Sequence, residues 1–445
     1  MAGDLINGEI PDHWEFTTLG DICQRGGGNI QTGPFGSQLH ASDYVPVGVP
    51  SIMPTNIGEN RIVEDGIVRI TEEDANRLGQ HRLRAGDIIY SRRGDVEKRA
   101  LIREREEGWF CGTGCLKVRL GSGVVDPLFT SLFLGHPAIR EWIVRHAVGA
   151  TMPNLNTTIM SAVPFALPPL AEQKAIAAGL GALDDKIELN RRMNATLEAM
   201  ARALFQSWFV DFDPVRAKLD CRLPAALDPV TAALFPDLFQ DSEIGPIPSG
   251  WTAGKLGDIG TNSRRGVQPS DIAPNTPYIA LEHMPRRCIA LGNWDDSADV
   301  ASSKSSFKKG EILFGKLRPY FHKVGVAPFD GVCSTDILVL APKSPEWFGF
   351  LLGHASSDEL IQFTDLASTG TKMPRTNWSD VSSFKVTLPP KPISAAFTRI
   401  IQPMADLIHA NLHQSRTLAT LRDTLLPKLL SGELSVDRQI SSQAR

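Results

Sequence analysis

The sequence predicts an α+β fold: two similar mixed α/β lobes joined by two long antiparallel coiled-coil helices with pseudo-two-fold symmetry. Three observations predict it. Short motifs recur at a nearly constant offset, each copy closes with a heptad ladder, and the chain between the copies carries neither pattern.

The repeat is read from four pairs of motifs. Pro11-Asp-His-Trp14 followed by Leu19-Gly-Asp-Ile22 returns as Pro248-Ser-Gly-Trp251 followed by Leu256-Gly-Asp-Ile259, at an offset of 237. Ala85-Gly-Asp-Ile-Ile-Tyr90 returns as Lys309-Gly-Glu-Ile-Leu-Phe314, at 224. Thr151-Met-Pro-Asn154 with Asn156 returns as Lys372-Met-Pro-Arg375 with Asn377, and Leu167-Pro-Pro169 as Leu388-Pro-Pro390, both at 221. The drift makes the second copy 16 residues shorter, nearly all of it lost before Gly310. Steady offsets on either side of a shrinkage are what duplicated domains with variable loops produce. Within the copies, 87–90, 116–118, 310–314 and 337–340 read as strands, and 127–134 and 346–352 as helices.

Each lobe is followed by a helix. After Pro169 the seam steps through Ile176, Leu180, Leu183, Ile187, Asn190, Asn194, Leu197, Ala201, Leu204 and Trp208. After Pro392 it steps through Phe397, Ile401, Met404, Ile408, Asn411, Ser415, Leu418, Arg422, Leu425 and Leu429. Steps of four and three are the 3.5-residue period of a coiled coil, held for about five heptads. A helix over 172–208 is roughly 55 Å long at ~1.5 Å per residue. Asn190 and Asn411 hold equivalent seam positions. Either they meet near the pseudo-dyad and fix register, because a slipped partner leaves an amide unpaired, or both tilt to solvent.

The stretch 209–247 is rich in Pro and Asp, lacks helical periodicity, and reads as a connector. The division expected is lobe one at 1–169, first helix at 170–210, linker at 211–245, lobe two at 246–391, second helix at 392–433 and a polar tail at 434–445.

Composition bounds the function. A hydrophobic share of 42% and a charged share of 22% are those of a globular chain with a large core. No apolar run reaches the ~20 residues of a membrane span, and the opening MAGDLINGEIPDHW lacks the basic start and apolar core of an export signal. Cys23, Cys111, Cys115, Cys221, Cys288 and Cys333 are too scattered for a disulfide scaffold and read as reduced cytoplasmic thiols. The net charge of −4 conceals an uneven balance: 302–323 carry six Lys/Arg against one acid, and 211–245 seven acids against three bases. Affinity for a polyanion follows local basic surface rather than the total.

Catalytic chemistry is not visible. No Asn/Asp-Pro-Pro-aromatic methyltransferase motif and no Gly-x4-Gly-Lys-Ser/Thr nucleotide loop occur, and Gly26-Gly-Gly28 lacks a strand–turn–helix setting. Cys111-Gly-Thr-Gly-Cys115 has no second ligand pair, so two buried thiols are expected rather than zinc. No catalytic set, metal or cofactor is expected. Trp14 and Trp251 read as core tryptophans.

The basic clusters are the site candidates. Arg82, Arg84, Arg92, Arg93, Lys98 and Arg99 flank a strand in the first copy; Lys304, Lys308, Lys309, Lys316, Arg318 and Lys323 hold the corresponding stretch of the second, with Tyr90, Tyr320 and Phe321 interleaved. Arginine forks suit guanine edges and phosphates, and lysines suit phosphates. Solvated charged loops are the bland alternative. The loop Thr32-Gly-Pro-Phe-Gly-Ser37 is turn chemistry that presents backbone.

The same segments carry a resemblance. LPPLAEQKAIAAGLGALDDKIELNRRMNATLEAMARALFQSWFVDFDP (167–214) resembles the central conserved region of type I restriction–modification specificity subunits, and LRDTLLPKLLSGEL (421–434) their C-terminal conserved region. GPIPSGWTAGKLGDI (245–259) is similar to the opening of their second target recognition domain, and TGPFGSQL (32–39) to a loop of their first. The second helix departs, since PKPISAAFTRI (390–400) lacks the acidic-Gln-Lys start found at Glu172-Gln173-Lys174. The resemblance implies a non-catalytic subunit whose two target recognition domains each read half of an asymmetric double-stranded DNA target, with the helices as spacer. It implies as partners two methyltransferase subunits that use S-adenosylmethionine on adenine, and translocating nuclease subunits. The rival from another class is a duplicated coiled-coil scaffold that binds protein and never touches DNA.

Overall fold

A computed structural model describes residues 11–149, 151–224, 227–297, 302–368 and 373–434. The opening decapeptide, Lys372 and the tail 435–445 lie outside the described residues. The chain forms two compact units: 1–185 with 418–445, and 186–417.

Unit 1 contains strands β1 (Glu15–Thr18), β2 (Gly27–Thr32), β3 (Tyr44–Val45), β4 (Val49–Ile52), β5 (Val68–Ile70), β6 (Ile88–Ser91), β7 (Arg99–Leu101), β8 (Phe110–Cys111), β9 (Cys115–Gly121) and β10 (Pro164–Leu167). Its short helices are α1 (Leu19–Arg25), α2 (Glu72–Arg77), α3 (Pro127–Phe133), α4 (Pro137–His146) and α5 (Thr157–Ser161). The long helix α6 (Leu170–Phe205) starts in unit 1 and continues into unit 2. Unit 2 adds α7 (Asp213–Leu219), α8 (Pro229–Ala233), β11 (Phe239–Gln240), β12 (Ile247–Pro248), β13 (Thr252–Lys255), α9 (Leu256–Ile259), β14 (Gly260–Asn262), β15 (Gly266–Val267), β16 (Pro277–Ile279) and β17 (Asp295–Asp296). It continues with β18 (Lys304–Phe307), β19 (Ile312–Gly315), β20 (Val324–Val326), β21 (Gly331–Cys333), β22 (Ile337–Pro342), α10 (Phe348–Ala355), α11 (Asp358–Leu366), α12 (Trp378–Ser383) and β23 (Lys385–Leu388). The second long helix, α13 (Lys391–Leu430), runs from unit 2 into unit 1.

The units repeat one topology. An antiparallel strand pair, β1–β10 or β13–β23, closes each lobe. A four-stranded antiparallel sheet follows, ordered β2-β9-β6-β7 in unit 1 and β14-β22-β19-β20 in unit 2. The third sheet varies: it is β3-β5-β4-β8 in one and β15-β18-β21-β16-β17 in the other, each with one parallel pair, β4–β8 or β16–β21. The alternating apolar residues of the shared sheet face a core that buries Ile88, Tyr90, Leu116, Val118 and Phe165 in unit 1, and Ile312, Phe314, Leu338, Leu340 and Phe350 in unit 2. Trp14 and Trp251 belong to these cores, at 6% and 1% exposure. Cys111 and Cys115 are buried too, and burial pushes the Cys111 thiol up to about 12.

The long helices pair within each unit, and they run antiparallel. In unit 1, Ile176, Ala177 and Leu180 share a core with Leu425, Leu426, Leu429 and Leu430, and Asp184 accepts from Arg422 at 2.8 Å. In unit 2, Leu197, Ala201, Leu204 and Phe205 share a core with Phe397, Ile400, Ile401, Met404, Ala405, Ile408 and Leu412. Leu183, Ile187 and Leu418 are half-buried.

The asparagines do meet. Asn190 Nδ2 donates to Gln414 Oε1 at 2.9 Å, Ser415 Oγ at 3.2 Å and the Asn411 carbonyl at 3.4 Å, while Asn411 Nδ2 donates to Asn194 Oδ1 at 2.8 Å. Since 190 corresponds to 411 and 194 to 415 in the repeat, the Asn190–Ser415 and Asn411–Asn194 contacts map onto each other under exchange of the helices, whereas the bond to Gln414 has Met193 at the equivalent place and no counterpart.

One sequence expectation needs correction. The connector is structured: α7 carries Pro214 as its second residue and α8 begins on Pro229, positions in a first turn where the missing N–H is harmless. Val215 and Phe235 are buried in the unit 2 core, and Phe212 and Phe239 pack on it. Between α6 and α7 the backbone widens into a π-turn over Gln206–Val210, which brings both Trp208 and Phe209 inward. The departure noted at the start of the second helix has a local structural counterpart at the start of α6. Gln173 is buried and serves its own lobe, accepting from Asp126 N at 2.8 Å and donating to Pro168 O at 2.8 Å. Glu172 takes the Trp14 indole N–H at 3.2 Å. In unit 2, Ser394, at the position of Gln173, and Thr398 donate instead to Glu346 O, at 2.8 and 2.7 Å. The two helix starts solve one local packing problem with different residues.

Candidate nucleic-acid interface

The predicted basic clusters divide between equivalent hairpins, which carry Arg92, Arg93, Lys98 and Arg99 or Lys316, Arg318 and Lys323, and the segments leading into them, which carry Arg82 and Arg84 or Lys304, Lys308 and Lys309. β6 and β7 are antiparallel and joined by a loop that Ser91 N closes onto Lys98 O at 3.0 Å; β19 and β20 are joined by one that Gly315 N closes onto Lys323 O at 2.8 Å. The second loop is one residue longer. Each hairpin springs from a sheet strand whose entry is a tight turn with Gly at φ > 0, Gly86 at 88° and Gly310 at 84°. The acid of the repeated Gly-Asp/Gly-Glu holds that turn. Asp87 accepts from Arg84 N at 2.9 Å and pairs with Arg119 at 2.6 Å; Glu311 accepts from Lys308 N at 2.7 Å and pairs with Arg265. The repeated acid is a scaffold group.

Each hairpin is buttressed by the Met-Pro loop of its own unit. Gly94 N donates to Pro153 O at 3.0 Å and Leu155 N to Arg92 O at 2.9 Å. The counterparts are Arg318 N to Pro374 O at 2.8 Å and Thr376 N to Lys316 O at 3.0 Å. Met152 and Met373, beside these prolines, are exposed.

The twelve basic candidates then separate. Arg84, Arg93, Lys98, Lys308 and Lys309 are exposed, and Arg92, Lys316, Arg318 and Lys323 are half-buried. Lys98 pairs with Asp95 at 3.0 Å and Lys308 with Asp330 at 2.8 Å, exposed pairs that a phosphate can displace at little cost. Arg82 is half-buried and engaged by Glu72, Asn76 and the Gly108 carbonyl.

Arg99 and Lys304 are corrections. Arg99 is buried, its Nε donating to Ser131 O at 2.6 Å, and burial pushes its guanidinium down from its ordinary range. Lys304 is buried in β18, donating to Ser302 O and Oγ at 3.1 and 2.7 Å. A charge on a strand flank can turn inward when a carbonyl or hydroxyl awaits it, and neither residue is a surface group.

Aromatic rings sit among the remaining cations. In unit 1 the Arg92 guanidinium lies 5.6 Å from the ring centre of Phe35, which is exposed in the loop read as backbone-presenting turn chemistry. In unit 2 the Phe321 ring has Arg286 at 4.1 Å, Arg318 at 5.8 Å and Lys323 at 6.0 Å. Burial, then the Arg286 charge, pushes Lys323 down, and its Nζ donates to Leu281 O at 2.5 Å. Arg286 was missed in the sequence because it lies 32 residues before Arg318, in a Pro-Arg-Arg stretch with no strand beside it.

Two copies of one fold, each with a cationic hairpin at the same place and an aromatic ring beside one of its arginines, define a duplicated protein. Comparison with known proteins agrees. The profile of the type I restriction modification DNA specificity domain matches residues 11–199 and 248–415, the greater part of the chain, and the chain belongs to this family.

It is 24% identical over 444 residues to the type I restriction enzyme MjaIX specificity subunit of Methanocaldococcus jannaschii, covering 97% of this chain and 95% of that one. It is 24% identical over 440 residues to the HindI specificity subunit of Haemophilus influenzae, covering 86% and 95%. Its fold is similar to the crystal structure of the type I restriction–modification S subunit from M. genitalium, with a TM-score of 0.56 and 16% identity over 95% of this chain and 97% of that one. Its function is DNA sequence specificity in type I restriction–modification, which sets aside a scaffold without DNA recognition. Among the described residues no helix is long and apolar enough to cross a membrane.

Proposed function

We propose that the chain reads a two-part, asymmetric target in double-stranded DNA, one half with each lobe, and directs adenine methylation or cleavage by partner subunits. Lobes 1–169 and 246–391 are the target recognition domains on this reading, and the helices 170–210 and 392–433 hold two methyltransferase subunits and the restriction subunits. The complex works in the cytoplasm, where the DNA is. The DNA face comprises Arg84, Arg92, Arg93 and Lys98 in the first lobe and Lys308, Lys309, Lys316, Arg318 and Lys323 in the second.

One observation carries the reading: the same hairpin, buttressed by the same Met-Pro loop, gathers cations in both units although the residues differ. A shared scaffold with different side chains suits two different half-sites, since phosphate contacts position while side-chain contacts to base edges specify.

The test is an exchange of 246–391 for the same segment of a relative with another target. The reconstituted methyltransferase complex is then presented with random DNA and its methylated products sequenced. A two-part motif with only one half altered is expected. Alteration of both halves, or no motif at all, overturns the reading.

A further inference from the structure

At one position of the hairpin the two units differ in a way that singles out a side chain. Gly94 of unit 1 has φ of 75°. Its equivalent in unit 2, making the same bond to the Met-Pro loop, is Arg318 at φ of 51°. Glycine takes this left-handed conformation without strain, whereas a β-carbon crowds the backbone there. Strain of this kind persists where the surroundings over-determine it, and it gathers at ligand clamps.

The contacts of Arg318 give its side chain little to do within the fold. Among the described residues no carboxylate pairs with it, and its Nε is buried without a hydrogen-bond partner. Several other cations of the unit are neutralised: Arg265 by Glu311, Arg287 by Asp358 and Arg375 by Asp336. With Nε enclosed, the two terminal amino groups are the donors left for a ligand.

The loop is also held firmly. Phe321 N donates to Arg318 O at 2.9 Å, His322 N to Pro319 O at 2.8 Å, and Arg287 N to His322 O at 2.9 Å. His322 Nε2 lies 3.0 Å from Ser356 O. Phe321 lies beside the guanidinium, with Arg286 near the same ring and the exposed Tyr320 edge-on at 4.8 Å.

We propose that Arg318 is a specificity-determining residue, its paired amino groups reading the O6 and N7 edge of a guanine in the half-site recognised by the second lobe. A guanidinium fork matches that edge, and a ring beside it limits its swing. The inference rests on the hairpins facing DNA, and the experiment separates the two ideas.

Arg318→Gly installs the residue that unit 1 carries there, so the fold is kept and the thermal midpoint stays level or rises. Arg318→Lys keeps the charge but loses the fork. Both variants, in complex with the methyltransferase subunits, methylate a random-sequence library that is then sequenced. In both, discrimination at one G·C pair of one half-site falls roughly 10- to 100-fold, and the other half-site is unchanged.

Unchanged discrimination in Arg318→Gly overturns the inference. So does wild-type discrimination in Arg318→Lys, which marks a phosphate contact instead. Lys316→Ala reports on the hairpin itself: if it weakens DNA binding while the Arg318 variants keep full specificity, only the Arg318 inference fails. If Lys316→Ala also leaves binding unchanged, the second hairpin does not face DNA and the larger reading fails with it.

Discussion

At the scale of single residues, the repeated Gly-Asp/Gly-Glu shows how far a sequence motif reaches. The motif is visible because the turn needs glycine and the acid follows it. Its partner is not visible, because Arg119 lies 32 residues after Asp87 whereas Arg265 lies 46 before Glu311. Two lobes reach one ion pair from opposite directions, so no repeat signal survives.

Buried histidines give this scale its pH dependence. Burial pushes His354 down to about 3, against the rings of Phe205 and Phe350, and burial with the Lys117 charge pushes His81 down to about 4. A folded-state value below the unfolded 6.5 means that the neutral form stabilises. That stability is complete above pH 6.5 and drains as pH falls towards the folded values, by about 1.4 kcal/mol per pH unit per histidine. Urea melts between pH 7 and pH 4.5 should therefore show a smaller acid loss in His354→Leu than in the wild type. Identical slopes would show that His354 does not enter the balance.

At the scale of elements, the long helices were the most legible part of the chain, since a 3.5-residue period sustained over five heptads has few rivals. Helices α7 and α8 escaped notice because seven and five residues complete too few turns to show a period. The Asn layer makes a sharp energetic claim. Asn194→Leu leaves the buried Asn411 amide without its acceptor, and about 1–3 kcal/mol of stability should go. The double variant Asn194→Leu/Asn411→Leu should recover part of that loss, giving a favourable coupling in a double-mutant cycle of denaturant melts. Simple additivity would mean that the 2.8 Å contact carries no pairwise energy. The seam is not uniform: Asp184–Arg422 in unit 1 corresponds to Ala405 and Ala201 in the unit 2 core, so the charged contact marks one end of the helix pair.

For the molecule as a whole, duplication and chain order were legible because loop variation left the offsets intact, whereas the ligand-facing residues were legible only by class. Basic composition located both hairpins, yet it drew in Arg99 and Lys304, which turn inward, and passed over Arg286, which the fold brings in from elsewhere. Burial of a cation depends on acceptors supplied by distant segments, and no local pattern encodes those. Two cations of the hairpins make a prediction at this scale: Arg93→Ala and Lys316→Ala should weaken DNA binding by the whole complex evenly across sequences. Each should lower the slope of log affinity against log salt by about 1. A change confined to particular base positions would instead mark either residue as a base reader.

The extra residue in the unit 2 hairpin has a consequence for how such chains diversify. Both hairpins turn onto the outermost strand of their sheet, β7 or β20, so lengthening or relettering the tip displaces no interior strand. Relatives with new targets are expected to differ first in the size and spelling of this rim, while the acid beneath it and the amide layer between the helices stay in place. A new vocabulary can thus arise on an old frame.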